Sequence, residues 1–189
     1  IESGFASALI RKIDRTETDF STVFYFNIIV AVLLYCLLWI FSPHIANFFN
    51  IPELKDITKV ISLNLIVYSL SIVQRSKLSI KIDFKSGAKI SFISTIISSI
   101  VALLLSYWGY GVWALVFQSL TSTIVRTLLL WCYVEWIPKL IFSWKSFKEL
   151  FSFGSKLLAS GLLDTIYNNV YTIVIGKIFP PAILGGYSK

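Results

Sequence analysis

The chain has 189 residues, of which 56% are hydrophobic, 16% aromatic and only 14% charged, and its mean hydropathy of +0.77 lies outside the soluble globular range. Its net charge of +7 would suit nucleic acid, but the basic residues gather in alternate connections between apolar runs, a pattern that membrane topology explains with no nucleic-acid partner. Function is therefore to be sought inside a bilayer.

Before the first apolar run stand Arg11, Lys12 and Arg15, and Thr16 with Asp19 has capping-box spacing, so a helix is predicted to start near Phe20 on the cytoplasmic side. The run from Phe20 to Phe41 has about the 20 residues a helix needs to cross a membrane. At Ser42-Pro43 an N-cap residue precedes a proline suited to a first helical turn, which predicts a short outer-surface helix, or a kinked extension, from Pro43 to Phe49. The second run, Ile57 to Val73, returns inward and emerges into Gln74-Arg75 and a loop with Lys77, Lys81, Lys85 and Lys89, charges that can pair with anionic lipid. The third, Ile90 to Trp108, carries Ser91, Ser94, Thr95, Ser98 and Ser99, small residues that allow close helix packing. Gly109 and Gly111 then permit a tight outer turn into the fourth run, Val112 to Val134.

Pro138 breaks the pattern, and after Ser143 the residues Trp144, Phe147, Leu150 and Phe151 share one helical face while Lys145, Lys148 and Glu149 take the other. This predicts an amphipathic helix on the inner surface, and 136–153 is read as a linker between two membrane subdomains, 1–135 and 154–189. The fifth run, Lys156 to Phe179, follows. The expected fold class is all-α transmembrane with five spans, the lysine-heavy connections facing the cell interior. Trp39, Trp108 and Trp113 then fall at the outer interface and Trp131, Trp136 and Trp144 at the inner one, as an aromatic belt does. A chain that opens on Ile1, lacks Met and stops at Lys189 just after a span is expected to be a piece of a longer polypeptide.

His44 stands alone, and no Cys, His or carboxylate cluster has metal-ligand spacing, so no metal or cofactor is expected. Cys36 and Cys132 fall in opposite leaflets, roughly 20 Å apart by helix rise, too far for a disulfide. With no Gly-rich phosphate loop, Gly-x-Ser-x-Gly elbow or neighbouring intramembrane carboxylates, no catalytic machinery is expected either. The informative residues are the polar ones inside spans. Arg126 in the fourth and Asp164 in the fifth both lie roughly 12 to 14 Å from the cytoplasmic ends of their helices, a depth at which they can meet. One reading is a buried salt bridge or a snorkelling arginine that only holds helices together. The other is that Arg126 lines a water-filled cavity and attracts an anionic group such as a diphosphate, with Asp164 as a switchable counter-ion. Asn168, with Tyr167, Asn169 and Tyr171, extends the polar face of the fifth helix. Gln118, above Arg126, serves either the cavity wall or an interhelical hydrogen bond. The candidate substrate-binding set is Arg126, Asp164, Asn168 and Gln118.

Taken in order, Gly4-Phe-Ala-Ser-Ala-Leu-Ile-Arg-Lys12, the Thr16 to Phe26 run, Pro52-Glu-Leu54, Val73-Gln-Arg75, Gly109-Tyr-Gly-Val-Trp-Ala-Leu115, Leu150-Phe-Ser-Phe-Gly-Ser-Lys156 and Ile175-Gly-Lys-Ile-Phe179 resemble the polysaccharide transporter family. These are bacterial oligosaccharide flippases of the superfamily that also holds the multidrug and toxin extrusion proteins. The resemblance implies twelve or more helices in two pseudo-symmetric lobes, this chain holding helices three to seven with the lobe boundary at the amphipathic linker. It also implies rocking-type alternating access with the substrate head-group in a central cavity. The implied substrate is a lipid-linked oligosaccharide, the implied location the bacterial cytoplasmic membrane, and the implied partners are membrane lipids and other polysaccharide-assembly proteins. Helix seven of the family often carries charge near the positions of Asn168 and Tyr171, and its absence here leaves Asp164 as the acidic candidate in the spans.

Three rivals differ in what they require. A cation-coupled drug antiporter of the same superfamily calls for an acidic cavity. A membrane-embedded glycan polymerase, ligase or acyltransferase calls for a sizeable outer loop with catalytic residues. A scaffold without transport calls for Arg126 and Asp164 to tolerate apolar replacement together.

Overall fold

The computed structural model describes residues 4–178, apart from the side chains at 168, 171–173 and 175–178. The described residues form helices and connections only, in the order α1 (Gly4–Arg11), α2 (Glu17–Phe49), α3 (Leu54–Ile61), α4 (Leu63–Ser69), α5 (Ile72–Ile80), α6 (Phe84–Tyr107), α7 (Val112–Tyr133) and α8 (Trp144–Ile178). Three of them, α2, α6 and α7, are long and apolar enough to cross a membrane, and the bent pair formed by Leu54–Ser69 and Ile72–Ile80 counts as a fourth. The protein is an all-α, multi-pass membrane protein. The expected fifth span belongs to α8 and reaches Phe179, which lies outside the described residues.

α1 packs on α5, α2 and α8 and buries Phe5, Ala6, Ala8 and Leu9. Its first residue has to be small: a Cβ on Gly4 would lie 2.1 Å from the carbonyl oxygen of Gly154 in α8. Arg15 closes α1, donating from Nε to the Leu9 carbonyl at 2.9 Å and from Nη2 to the Ile10 carbonyl at 2.6 Å, both orphaned by the helix end.

The capping box read from Thr16 and Asp19 is present: the Thr16 amide donates to Asp19 Oδ2 at 2.9 Å, and the Asp19 amide donates to Thr16 Oγ1 at 3.3 Å. α2 then runs for 33 residues without a break at Pro43, so of the two alternatives for 43–49 the structure has an extension of the span and not a separate surface helix. The reason lies one residue earlier. Proline removes the amide that would serve the Trp39 carbonyl, and Ser42 Oγ donates to that oxygen at 2.8 Å in its place. Asn50, in the left-handed conformation with φ 57°, ends the helix.

The second span is not the single straight helix expected. It breaks after Ser69, and the two parts meet at 48°. Nothing in the hydropathy marks the break, because its freed carbonyls are served by another helix. Thr127 Oγ1 of α7 donates to the Val67 carbonyl at 3.2 Å, and Trp131 Nε1 donates to the Leu70 carbonyl at 2.9 Å. Irregular backbone at membrane depth survives only when protein satisfies it in this way.

α6 starts six residues before the expected run because Asp83 caps it, accepting from the Ser86 amide at 3.0 Å. Gly109 at φ 83° and Gly111 at φ 53° make the predicted turn into α7. Ser94 and Ser98 are buried, but their hydroxyls return to the Ile90 and Thr95 carbonyls of their own helix, so they contribute small size rather than interhelical bonds.

The connection 134–143 is stapled along the start of α2: the Lys139 amide donates to Ser21 Oγ at 3.2 Å and the Ser143 amide to Thr22 Oγ1 at 3.1 Å. Trp136, expected in the lipid-facing belt, is 5% exposed; its Nε1 donates to Glu17 Oε2 at 2.7 Å and its ring lies against Phe20 and Phe24. Its polar atom has found an internal partner, which lets the whole ring enter the core. α8 is one helix of 35 residues that contains both the expected amphipathic helix and the described part of the fifth run. Its apolar face covers α1 and α2, with the Phe147 ring 4.9 Å from Phe26 and 6.2 Å from Phe5. Lys12 ties the three helices together, its Nζ lying 3.0 Å from Asp19 Oδ1 and 3.1 Å from Glu149 Oε2.

Candidate anion-binding cavity

Because α4 is bent away from α5, the second span presents its arginine to α7 rather than to a surface loop. Arg75 of α5 and Arg126 of α7 line one cavity of about 270 Å³, with Leu78, Asp83, Ser91 and Leu130 among the other walls. Arg75 is held from behind: its Nη1 donates to the Tyr68 hydroxyl at 3.2 Å, and its guanidinium carbon sits 4.5 Å from the Tyr68 ring centroid. Arg126 is less well served. Its Nε is buried and has no hydrogen-bond partner. Neither guanidinium forms an ion pair among the described residues.

The carboxylate in the wall, Asp83, is already committed to the N-terminus of α6. Hydrogen bonds from Ser86, helped by the charges of Lys81 and Lys85, hold its pKa below the usual value of 3.8, so it remains an anion that caps a helix. Asp83 and Leu78 also border a second cavity of about 640 Å³ on the basic face, where Arg15, Lys77 and Lys81 contribute to the lining. Two guanidinium groups in one partly desolvated cavity repel each other and offer planar donor forks, the arrangement that a bridging oxyanion stabilises.

The predicted site residues separate. Asp164 is exposed on α8 and forms no ion pair with Arg126. Equal depth brought the two together on paper, but α8 packs on α1 and α2, and side chains at one depth meet only when their helix faces are turned toward each other. The Asn168 side chain, like that of Tyr171, lies outside the described residues, whereas Asn169 Nδ2 returns to the Thr165 carbonyl of its own helix at 2.8 Å. Gln118 lines a different cavity, of about 320 Å³, among Thr95, Ser98, Ser119, Ser122 and Thr123. Asn64 Nδ2 donates to Ser119 Oγ beside it at 3.1 Å.

Sequence reasoning missed Arg75 and Tyr68. The charge of Arg75 was absorbed into the topology argument because the preceding apolar run looked unbroken. The signal available was Ser69 and Ser71, whose hydroxyls return to the Ile66 and Tyr68 carbonyls at 2.8 and 3.0 Å where the helix stops. Among the described residues no group of three or more His, Cys, Asp or Glu could hold a metal ion, and Cys36 and Cys132 are exposed and unbonded.

Known proteins extend this picture. The chain is 27% identical over 190 residues to the teichuronic acid biosynthesis protein TuaB of Bacillus subtilis, covering all of the chain and 39% of that protein. It is 25% identical to the succinoglycan biosynthesis transport protein ExoT of Rhizobium meliloti, covering 98% of the chain and 38% of that relative. It is 24% identical to the lipopolysaccharide biosynthesis protein WzxC of Escherichia coli, covering 98% of the chain and 38% of that relative. The chain thus spans about two fifths of the length of the curated relatives it matches. No solved structure matches it significantly. A membrane chain of this helical order, with relatives in polysaccharide biosynthesis, is matched over residues 1–189 by one family profile, and it belongs to the family of polysaccharide biosynthesis proteins.

Proposed function

We propose that the protein moves a lipid-linked oligosaccharide across the bacterial cytoplasmic membrane for cell-surface polysaccharide assembly, and that Arg126 and Arg75 together hold the diphosphate of that substrate. The observation that carries the reading is the pair of guanidinium groups in one cavity between α5 and α7, neither of them ion-paired within the described residues. A cation near the middle of a span costs about 2.5–3.5 kcal/mol on insertion scales, so a second one beside it calls for an anionic occupant. A diphosphate supplies more than one charge and enough acceptor oxygens for both forks. The relatives' names, which speak of teichuronic acid, succinoglycan transport and lipopolysaccharide, support a polysaccharide cargo. Gln118 and the hydroxyls around it offer the neutral hydrogen-bonding groups that sugar rings need. In this reading α8 begins the second lobe and carries Asp164 exposed on its surface, away from the two arginines.

Translocation breaks no covalent bond, so the protein is read as a transporter and not an enzyme. Two arginines also weigh against a drug antiporter, whose cationic substrates would be repelled. The test is export of surface polysaccharide by the complete protein in a strain that lacks its own transporter. Arg126→Ala or Arg75→Ala is expected to lower export by about tenfold or more, the size of losing a charge-assisted hydrogen-bonded contact, with membrane insertion unchanged. Unchanged export in both variants overturns the reading.

A further inference from the structure

Gln74 occupies an unusual position. Its side chain is 0% exposed, and both its Oε1 and its Nε2 are buried without a hydrogen-bond partner, which holds for no other side chain among the described residues. Its neighbours on α5 are handled differently: Ser76 donates to the Ile72 carbonyl at 2.9 Å, Arg75 reaches Tyr68, and Ile72, Val73 and Leu78 are apolar core. A buried amide with no partner forfeits its hydration and receives nothing in return, so the present seat of α5 is held at a penalty. A merely structural residue here would be apolar.

The segment that carries Gln74 also follows a break in the second span. Between Ser69 and Ile72 the helix is broken, with the Ser71 amide reaching back to the Tyr68 carbonyl at 3.1 Å in a tight turn. The Val67 and Leu70 carbonyls at the break are served by Thr127 and Trp131 of α7. Both carbonyls lie on the α4 side of the break, so a rotation of α5 about it would leave these two hydrogen bonds in place and would not unwind a helical turn. Such a rotation carries Arg75, one residue after Gln74, toward or away from Arg126.

We propose that the Leu70–Ser71 break is a hinge, with Gln74 as its positioning residue: α5 has a second seat in which the Gln74 amide is hydrogen-bonded, and the buried, unpaired amide keeps the present seat shallow. The coupling of this hinge to an anion bridging Arg75 and Arg126 rests on the diphosphate reading above; the hinge itself does not. Two discrete seats separated by a small free energy are what a ligand needs if it is to shift a population.

The experiment is hydrogen exchange of the Ile72–Ile80 amides in the complete protein, purified in detergent, with thermal unfolding measured alongside. Gln74→Met keeps an unbranched side chain of similar volume and removes both polar atoms. It is expected to slow exchange in α5 about tenfold without lowering the unfolding midpoint, because the seat loses its penalty. It should also reduce polysaccharide export, a combination that a structural role does not produce. Gln74→Leu is expected to act in the same direction, which guards against a packing effect peculiar to methionine. Faster exchange together with a lower midpoint in both variants would show that the amide holds α5 in place, and the proposal would be overturned. Millimolar inorganic diphosphate added to the wild type is expected to slow the same amides. If diphosphate has no effect while Gln74→Met still slows exchange, the hinge stands and the anion-binding reading of Arg75 and Arg126 falls.

Discussion

The indole N–H of Trp131 donates to the carbonyl of Leu70 at 2.9 Å, so a residue of α7 completes a helix end that the second span cannot complete for itself. Trp131→Phe keeps most of the aromatic contact with Phe24 and deletes the donor. Interhelical hydrogen bonds inside membranes average only about 0.6 kcal/mol because the freed group usually finds another partner. At a helix break there is no neighbouring amide to turn to, so the loss is expected at about 1–2 kcal/mol. Thermal unfolding in detergent would show it as a midpoint lower by a few degrees, and Thr127→Val should add to it, since Thr127 serves the next free carbonyl.

The approach of α1 to α8 makes an asymmetric prediction about glycine. A Cβ on Gly4 would meet backbone at 2.1 Å, whereas one on Gly154 comes no closer than 3.1 Å to the Gly4 carbonyl oxygen, and one on Gly161 meets nothing within 4 Å. Gly4→Ala is expected to force the helices apart and to destabilise by about 1–3 kcal/mol, the range for overpacking. Gly161→Ala should stabilise α8 by about 0.5–1 kcal/mol, since an open helical position gains propensity without a clash. Unfolding midpoints of the two variants on either side of the wild type would bear this out, and equal shifts would contradict it.

The link through Lys12 should appear as a dependence on alkaline pH. Burial by itself would lower the Lys12 pKa, but its hydrogen bonds to Asp19 and Glu149 and the charges of those carboxylates outweigh burial and raise it above the unfolded value of 10.5. A group whose folded pKa is raised contributes its full stabilisation below the unfolded value and loses it as the pH climbs through the folded one. The wild type is therefore expected to lose more stability than Lys12→Met above pH 10.5, while from there down to the carboxylate range, where Asp19 and Glu149 are still charged, the gap between the two stays constant. Glu149→Gln should cost less than Asp19→Asn, because the Glu149 side chain is 57% exposed and that of Asp19 1%.

Local chemistry was legible in the sequence, and relationships between helices were not. Thr16 with Asp19, and Gly109 with Gly111, act within a few residues, so their capping box and positive-φ turn could be read directly. α7 was bounded to within a residue because apolarity and the turn before it agree. The break at Leu70–Ser71 left only the faint mark of Ser69 and Ser71, since the run around them stays apolar and the donors that permit the break lie about sixty residues away. The same blindness set Arg126 against Asp164, because depth along a helix follows from counting residues but the direction a face is turned does not. Arg75, read as a topological charge, ended beside Arg126. Trp136 was assigned to the belt by position alone, and its seat depends on Glu17, more than a hundred residues earlier.

Ser42 and Pro43 allow a prediction that isolates a single atom. Pro43 deprives the Trp39 carbonyl of its helical donor and Ser42 Oγ replaces it at 2.8 Å, at a position where the serine is 0% exposed. Ser42→Ala in the wild type should leave that carbonyl without a partner and lower stability by about 1–2 kcal/mol. Pro43→Ala restores an amide at the helical spacing and should be neutral or stabilising, since proline inside a helix is disfavoured by about 3 kcal/mol. In the Pro43→Ala background the carbonyl has its backbone donor again, so Ser42→Ala should then cost almost nothing. The four unfolding free energies of this cycle give the coupling between hydroxyl and proline directly. A coupling near zero, with Ser42→Ala equally damaging in both backgrounds, would mean that Ser42 is retained for close packing and that something other than its hydroxyl keeps α2 continuous through the proline.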